Sequence, residues 1–400
     1  MNRKSGFENL DKITALYPGV YVLGALSSLG KTSFMLQLAD NLAADGEHVL
    51  YFSMEQTAAE LVSKSISRTL YQMKGAETAS AINIRRGRYD SGKQIADNPD
   101  PYNAAVNEYT ALVGEYLHIV ETDFRATTVE GIRKQIADFI DGHDGIRPVV
   151  IIDYLQILSC ENDRLSDKQK VDFILETLKS TQKRYGLTMF LISSFNRTNY
   201  LSPVDFESFK ESGSIEYTAD VCWGLELQVL QDPVFDTGRD SKIKEKRAMV
   251  KMAKAATPRK VTLICLKNRY GISSYSCGFD YFPQWDIFVP SAATPAGIWK
   301  PKTAAGDGFT KVSGYNPFET KRQKQRELLK AAYEEAKKER AGQPVTTFDL
   351  AEKMDISQQA VKRRLKEYGG FTVEQDGQTI ITGEVDTSFS VEIMPEKKEG

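Results

Sequence analysis

Hydrophobic and polar positions alternate along this chain in two rhythms. Short β-branched or aromatic runs, among them Val20-Tyr-Val-Leu, Val49-Leu-Tyr-Phe, Leu117-His-Ile-Val, Val149-Val-Ile-Ile, Met189-Phe-Leu-Ile and Val261-Thr-Leu-Ile, read as strands. Between them apolar residues recur at helical spacing. One predicted helix starts near Lys31, carries Phe34, Leu36, Leu38 and Leu42, and is capped by Gly46. A second carries Ile132, Ile136 and Ile140 behind a Thr127-Thr-Val-Glu130 capping box, and a third, with Val171, Ile174, Leu175 and Leu178, stops near Gly186. Strands alternating with helices predict an α/β fold, a doubly wound and mostly parallel sheet. The unbroken run Val149–Ile152 suits a central strand buried on both faces. Val261–Leu266 and Ser273-Ser-Tyr-Ser-Cys277 read as a hairpin with Lys267 and Arg269 at its tip.

Other stretches break the rhythm. Residues 57–147 are mostly helical in pattern with a polar middle, interrupted at Asp97-Asn-Pro-Asp-Pro101. The polar, Gly-bearing segment from Phe209 to Asp220 is expected to be a loop, and residues 231–260, rich in charge, a mobile insertion.

Composition narrows the class. A chain of 400 residues, 41% hydrophobic and 26% charged, is expected to hold two domains. A net charge of −2 gives no global attraction to nucleic acid or membrane, so any such affinity is local. No apolar run suits a membrane span, and no membrane partner is expected. The four cysteines show no C-x-x-C spacing, which points to a reduced, cytoplasmic protein. His48, His118 and His143 are far apart in sequence, so neither a zinc site nor a histidine-based triad is expected, and chemistry falls to carboxylates, hydroxyls and cations.

The strongest candidate chemistry lies where the first strand meets its helix, in Ala25-Leu-Ser27-Ser28-Leu29-Gly30-Lys31-Thr32-Ser33. A strand, a small-residue turn and a helix N-terminus aim unpaired N–H groups and a positive dipole end at an anion. Lys31 is placed to reach terminal phosphates and Thr32 to ligate a bridging Mg²⁺. The usual motif has Gly where this chain has Ala25. Glu55, past the end of the next strand, is a candidate general base for an attacking water, against the plainer reading of an exposed strand-end carboxylate. Asp153 closes the Val149–Ile152 run and is a candidate metal ligand, although an Asp capping a turn looks the same.

These pieces, with Phe52-Ser-Met-Glu55, Ile152-Asp-Tyr-Leu-Gln156, Ser193-Ser-Phe-Asn-Arg197, Glu211-Ser-Gly-Ser-Ile-Glu216 and Lys267-Asn-Arg269-Tyr-Gly271 in this order, make the segment from Gly6 to Val289 resemble the ATPase domain of DnaB-like replicative hexameric DNA helicases. The resemblance implies a RecA-like P-loop NTPase fold, with ATP and Mg²⁺ as cofactors. It implies a homo-oligomer, expected to be a hexameric ring, that hydrolyses ATP between subunits while moving on single-stranded DNA in a central channel, with 5'-3' polarity. Lys267 and Arg269 then act on the γ-phosphate of a neighbouring subunit. Asn196, Arg197, Lys210, Glu211, Ser212 and Gly213 fall at its DNA-gripping loops. Ser194 stands at the γ-phosphate sensor position, usually Gln. The family's helical N-terminal primase-binding domain and linker helix are expected to be lacking here, which suits a phage, plasmid or other mobile replicon.

Residues 291–320 have linker composition, and 321–386 read as a helix followed by a small winged helix-turn-helix domain, with 387–400 a disordered tail. A segment beginning at Ser357 would be its recognition helix, bearing Lys362, Arg363, Arg364 and Lys366, with duplex DNA or a loader protein as partner. Two other functions fit the same pieces: a DNA-stimulated ATPase that remodels protein on DNA without unwinding, and an ATP-regulated, sequence-specific initiator.

Overall fold

The computed structural model describes residues 2–75, 78–122, 127–162, 164–196, 200–209, 212–236, 242–291, 297–298, 317–340, 343–354, 358, 361–362, 365, 371–375 and 378–382. They divide into two compact units, Met1–Ser313 and Gly314–Gly400.

In the first unit the chain runs α1 (Glu8–Asp11), β1 (Gly19–Ala25), α2 (Lys31–Ala44), β2 (Val49–Ser53), α3 (Ala58–Lys74), α4 (Ala81–Arg85), α5 (Asp100–Val113), β3 (Leu117–Glu121), α6 (Val129–Gly142) and β4 (Val149–Asp153). It continues through α7 (Asp167–Tyr185), β5 (Thr188–Ser194), α8 (Ser212–Thr218), β6 (Val221–Leu227), α9 (Ile243–Ala255), β7 (Arg259–Asn268), β8 (Tyr275–Phe282), β9 (Ile287–Pro290) and β10 (Gly297–Ile298). One sheet holds all these strands in the order β10-β8-β7-β6-β1-β5-β4-β2-β3, with β9 on β8. From β3 to β6 the neighbours are parallel. β7 then runs antiparallel to β6, and β8 to β7, forming the expected hairpin. Every residue of β1, β2 and β4 is buried, because helices sheath the parallel part of the sheet, and this is why those strands read as continuous apolar runs.

Several local expectations change. The cap of α6 is Thr128, whose side chain accepts from Gly131 N–H, one residue later than the sequence suggested. Thr128 is held extended beside Ser159, whose N–H donates to Thr127 O and whose carbonyl accepts from Val129 N–H, and Glu130 accepts from Glu161 N–H instead of closing a capping box. Most of the expected loop between Phe209 and Asp220 is α8, anchored by buried Ile215 and Ala219, four residues apart, and by Ser214 donating to Asp172 of α7. The expected mobile insertion contains α9, whose Lys246 and Val250 are buried against the sheet. The three histidines are not isolated: His48 and His118 lie 3.2 Å apart, and the His143 ring is 6.0 Å and 5.6 Å from theirs. Parallel pairing sets Leu50 against His118, and α6 returns the chain to Val149 beside His48, so topology collects them.

The second unit contains α10 (Pro317–Glu339), α11 (Thr347–Met354) and an antiparallel hairpin of β11 (Phe371–Gln375) and β12 (Gln378–Thr382). Leu329, Tyr333, Leu350, Val361, Leu365 and Ile381 form its core. Lys362 is half-buried, while Arg363, Arg364 and Lys366 lie outside the described residues. No described helix is long and apolar enough to cross a membrane.

Candidate nucleotide site

The turn between β1 and α2 is shaped by two left-handed residues, Ser28 (φ 65°) and Gly30 (φ 88°). Backbone of this kind curls N–H groups around a concavity suited to anions. Gly30 caps α2 without any side-chain bond, whereas Thr57, Thr128 and Ser166 each cap their helix with a hydroxyl, so the first-turn donors of α2 have no side-chain cap. A Cβ on Gly30 would stand 2.8 Å from the Tyr281 ring, so the position excludes any side chain. Lys31 Nζ donates to Ala25 O at 3.1 Å, closing the loop onto the strand end. Ser27 and Ser28 are exposed, and the Leu29 side chain is in the core. Ser33 is turned away: its hydroxyl donates to Asp286 at 2.5 Å, leaving only its backbone for a phosphate.

Asp153 lies beside the Thr32 hydroxyl, with which it is hydrogen-bonded, and accepts from Tyr51 O–H at 3.0 Å. Burial pushes its carboxyl above the usual range, the bonds from Thr32 and Tyr51 oppose that, and the Glu55 charge adds to it. The β2–β4 register sets Ser53 against Asp153, and Met54 N–H donates to Asp153 O at 3.0 Å, which delivers exposed Glu55 to the same end of the sheet. One hydroxyl and one carboxylate, with anion donors alongside, form a hard-oxygen set that fits Mg²⁺ bound to a nucleotide phosphate.

Lys267 and Arg269 lie elsewhere. Lys267 donates to Glu216 O, and Arg269 Nη1 pairs with Asp220 Oδ1 at 3.1 Å. Although burial raises the Asp220 carboxyl, the bond from Lys179, the Val20 N–H and the Lys179 and Arg269 charges hold it below the usual range. Arg269, Lys179, Lys183 and Tyr217 line an open cavity of about 500 Å³, to which no residue of the β1–α2 turn contributes.

Comparison with known proteins gives this arrangement a family. A sequence model of the DnaB-like helicase C terminal domain matches residues 3–279. The chain belongs to that family. Similar curated proteins are the replicative DNA helicases DnaB of Haemophilus influenzae (26% identical over 250 residues, 60% of this chain and 48% of that protein) and Geobacillus stearothermophilus (25% over 225 residues, 54% and 45%). The chain thus spans about half the length of the curated relatives it matches. Among solved structures, an isolated ATPase domain superposes with a TM-score of 0.57 at 20% identity, covering 72% of this chain and 90% of that one. A DnaB-like replicative helicase studied with primase superposes at 0.56 and 21% identity, covering 72% and 61%. These two likenesses establish the RecA-like α/β fold.

In this DnaB-like domain the segment after β5 is tied down by side chains. Gln156 donates to Ser193 Oγ at 2.8 Å and accepts from Ser194 N–H at 3.3 Å, so an amide does stand beside position 194, supplied by another strand end. Asn196 spends its amide N–H on the carbonyls of Glu207 and Phe209, which holds the loop closed on itself. Gly213 is exposed at the start of α8; Arg197, Lys210, Glu211 and the Ser212 side chain lie outside the described residues. Sequence reading missed Arg259, whose Nη1 donates to Ser28 O at 2.7 Å across 231 positions of sequence; an arginine opening a strand carries no motif. Gln156 was visible within Ile-Asp-Tyr-Leu-Gln, but its target was not.

Proposed function

We propose that this chain is the motor of a replicative-type DNA helicase, hydrolysing ATP between copies arranged in a ring, expected to be a hexamer, to translocate 5'-3' on single-stranded DNA and separate duplex. The observation that supports this reading is that the β1–α2 turn and Arg269 lie at opposite ends of one sheet. β7 is antiparallel to β6 and β6 parallel to β1, so Arg269, just past β7, stands at the start of β1, about 20 Å from the turn that follows it at roughly 3.3 Å per residue, while Lys267 is level with Val22, about 10 Å short of the end of β1. A side chain cannot bridge that gap, so a γ-phosphate served by Arg269 is bound by another copy.

Within one copy, backbone N–H groups of residues 27–33 and the Lys31 ammonium bind the phosphates, and Thr32 and Asp153 hold the metal. Mg²⁺ held by these two residues would supply charge neutralisation to the nucleotide phosphates. Glu55 takes the proton of a water attacking the γ-phosphorus as the bond to the β-γ bridging oxygen breaks and ADP leaves. Arg269 and Lys267 of the neighbour stabilise the charge that develops on the transferred group. Ser194, with Gln156 beside it, connects phosphate state to the loop bearing Asn196, Arg197, Lys210, Glu211, Ser212 and Gly213. The 1–290 ATPase domain is followed by a linker and a winged helix unit (321–386), in which Lys362, Arg363, Arg364 and Lys366 engage duplex DNA or a loader.

Unwinding of a forked duplex by wild type and Glu55→Gln tests this. Active wild type and a variant slowed about 10²–10⁴-fold are expected for loss of a general base. One feature favours the rival of remodelling without unwinding, the short side chain of Ser194. ATP turnover that never separates strands would select it, and site-specific duplex binding indifferent to Glu55 would select an initiator.

A further inference from the structure

Helix α9 carries a cationic stripe that the ATPase chemistry leaves unused. Lys244, Arg247, Lys251 and Lys254 fall at i, i+3, i+7 and i+10, one line along the helix, beside the buried line that includes Lys246 and Val250. Lys244, Arg247 and Lys251 are exposed. Lys242 is drawn to Glu245 at 3.9 Å, so the acidic residue of this helix is occupied off the stripe. At its C-terminal end the stripe meets an aromatic ring: Lys254 Nζ sits 4.8 Å from the centroid of Tyr200, on the segment that follows β5. Arg259 joins this end to the nucleotide site, since its Nη2 donates to Lys254 O at 2.6 Å while its Nη1 holds Ser28 O.

We propose that this stripe is a contact surface for the sugar–phosphate backbone of single-stranded DNA, with Tyr200 as a stacking platform for a base at its end. The proposal rests on the DNA-motor reading above and adds α9 as a DNA contact, with Tyr200 as a new contact residue on the loop that already bears Asn196 and Arg197. A row of cations spaced along a helix matches a repeating polyanion, and an aromatic ring at its end matches a strand whose bases are unpaired. Near-neutral overall charge makes the stripe the more telling, because the net field of the chain supplies no such attraction. Arg259 ties the end of the stripe to the nucleotide turn through its bonds to Lys254 O and Ser28 O.

The test is titration of a fluorescent oligo-dT strand into the full chain at several salt concentrations. Lys244→Gln/Arg247→Gln/Lys251→Gln is expected to weaken binding at least tenfold at low salt. It should also reduce the slope of log K against log[salt] by about 2, at roughly 0.7 for each phosphate no longer neutralised. Turnover of ATP without DNA, which none of the three residues touches, reports that the variant is folded. Tyr200→Leu is expected to cost about tenfold on oligo-dT and leave a duplex probe unaffected. Unchanged affinity and slope in the triple variant, with ATP turnover intact, overturns the proposal. Equal losses on duplex and single strand, with Tyr200→Leu silent, overturn the single-strand assignment. A wild-type chain that binds no oligo-dT defeats the motor reading itself.

Discussion

Arg259 and Arg269, at the two ends of β7, serve opposite ends of the sheet. Arg259 bonds the Ser28 carbonyl in the β1–α2 turn, and Arg269 pairs with Asp220, which also accepts from the N–H of Val20 at the start of β1. Ten residues of extended chain, about 33 Å, separate them. The first therefore reaches the turn of its own copy, and the second is the one that the proposed ring would present to a neighbour.

Complementation follows from that separation. Arg269→Ala is expected to fold, because its side chain is half-exposed and Lys179 still pairs with Asp220. Alone it should lose about 10³–10⁵ in turnover, as removal of an arginine finger does. Lys31→Ala should be equally inactive. Mixing the two restores measurable ATP hydrolysis, since some seams then combine an intact cradle with an intact finger. A mixture no more active than its parts contradicts a shared site.

Two glycines with the same dihedral separate conformation from space. Gly30 and Gly46 both have φ 88°, but a Cβ on Gly30 meets Tyr281 at 2.8 Å and Phe288 at 3.0 Å, while on Gly46 it meets nothing within 4 Å. Those rings are stacked at 4.1 Å and cannot part cheaply. Gly46→Ala is expected to cost about 1–2 kcal/mol through backbone strain and leave ATP affinity unchanged. Gly30→Ala adds an overpacking cost of about 1–3 kcal/mol and lowers ATP affinity more than tenfold. Urea denaturation and nucleotide titration of both variants make the comparison.

Behind the nucleotide turn, Arg68 of α3 is 1% exposed and pairs with Asp40 of α2 at 2.5 Å, while its Nε donates to Asp286 O at 2.9 Å. Burial raises the Asp40 carboxyl and the Arg68 charge opposes it. Arg68→Met leaves that carboxylate unpaired and is expected to destabilise by about 3–5 kcal/mol. Arg68→Met/Asp40→Leu should recover much of the loss. Chemical denaturation of wild type, single and double variants checks this, and a double variant no better than the single one refutes the charge argument.

Acid sensitivity is expected from the histidine cluster. Burial lowers the His48 and His118 imidazoles below their ordinary 6.5, and repulsion from His143, and on His118 also from His48, adds to it; for His48, Glu115 and Glu47 pull the other way. Just below pH 6.5 the unfolded chain then binds more protons than the folded one, so stability falls as pH drops through that value and levels off once the folded imidazoles also titrate. The urea midpoint should be lower at pH 5.5 than at pH 7.5 by more in wild type than in His48→Gln/His118→Gln. Identical drops would remove the cluster from the account.

What sequence by itself determined was the strongest of the patterns carried by neighbours along the chain. Buried strands need apolar runs, helices need their period, and a turn that cradles phosphate needs Gly30 next to Lys31 and Thr32, so the parallel sheet and the family motifs were legible. Asp153 and Glu55 were legible for the same reason, each standing at the end of a run that had to be a strand. Only the tertiary structure decided what meets across strands: Tyr51 on Asp153, Gln156 on Ser194, Arg259 on Ser28 and three distant histidines in one cluster. It also turned a polar loop and a charged insertion into α8 and α9, where Ile215 and Val250 are buried in a way that local composition does not reveal. The strongly periodic elements are set by local pattern, whereas weakly apolar helices such as α8 and α9 and all contacts across strands depend on strand order and direction, which emerge only when helices and sheet bury their surfaces together.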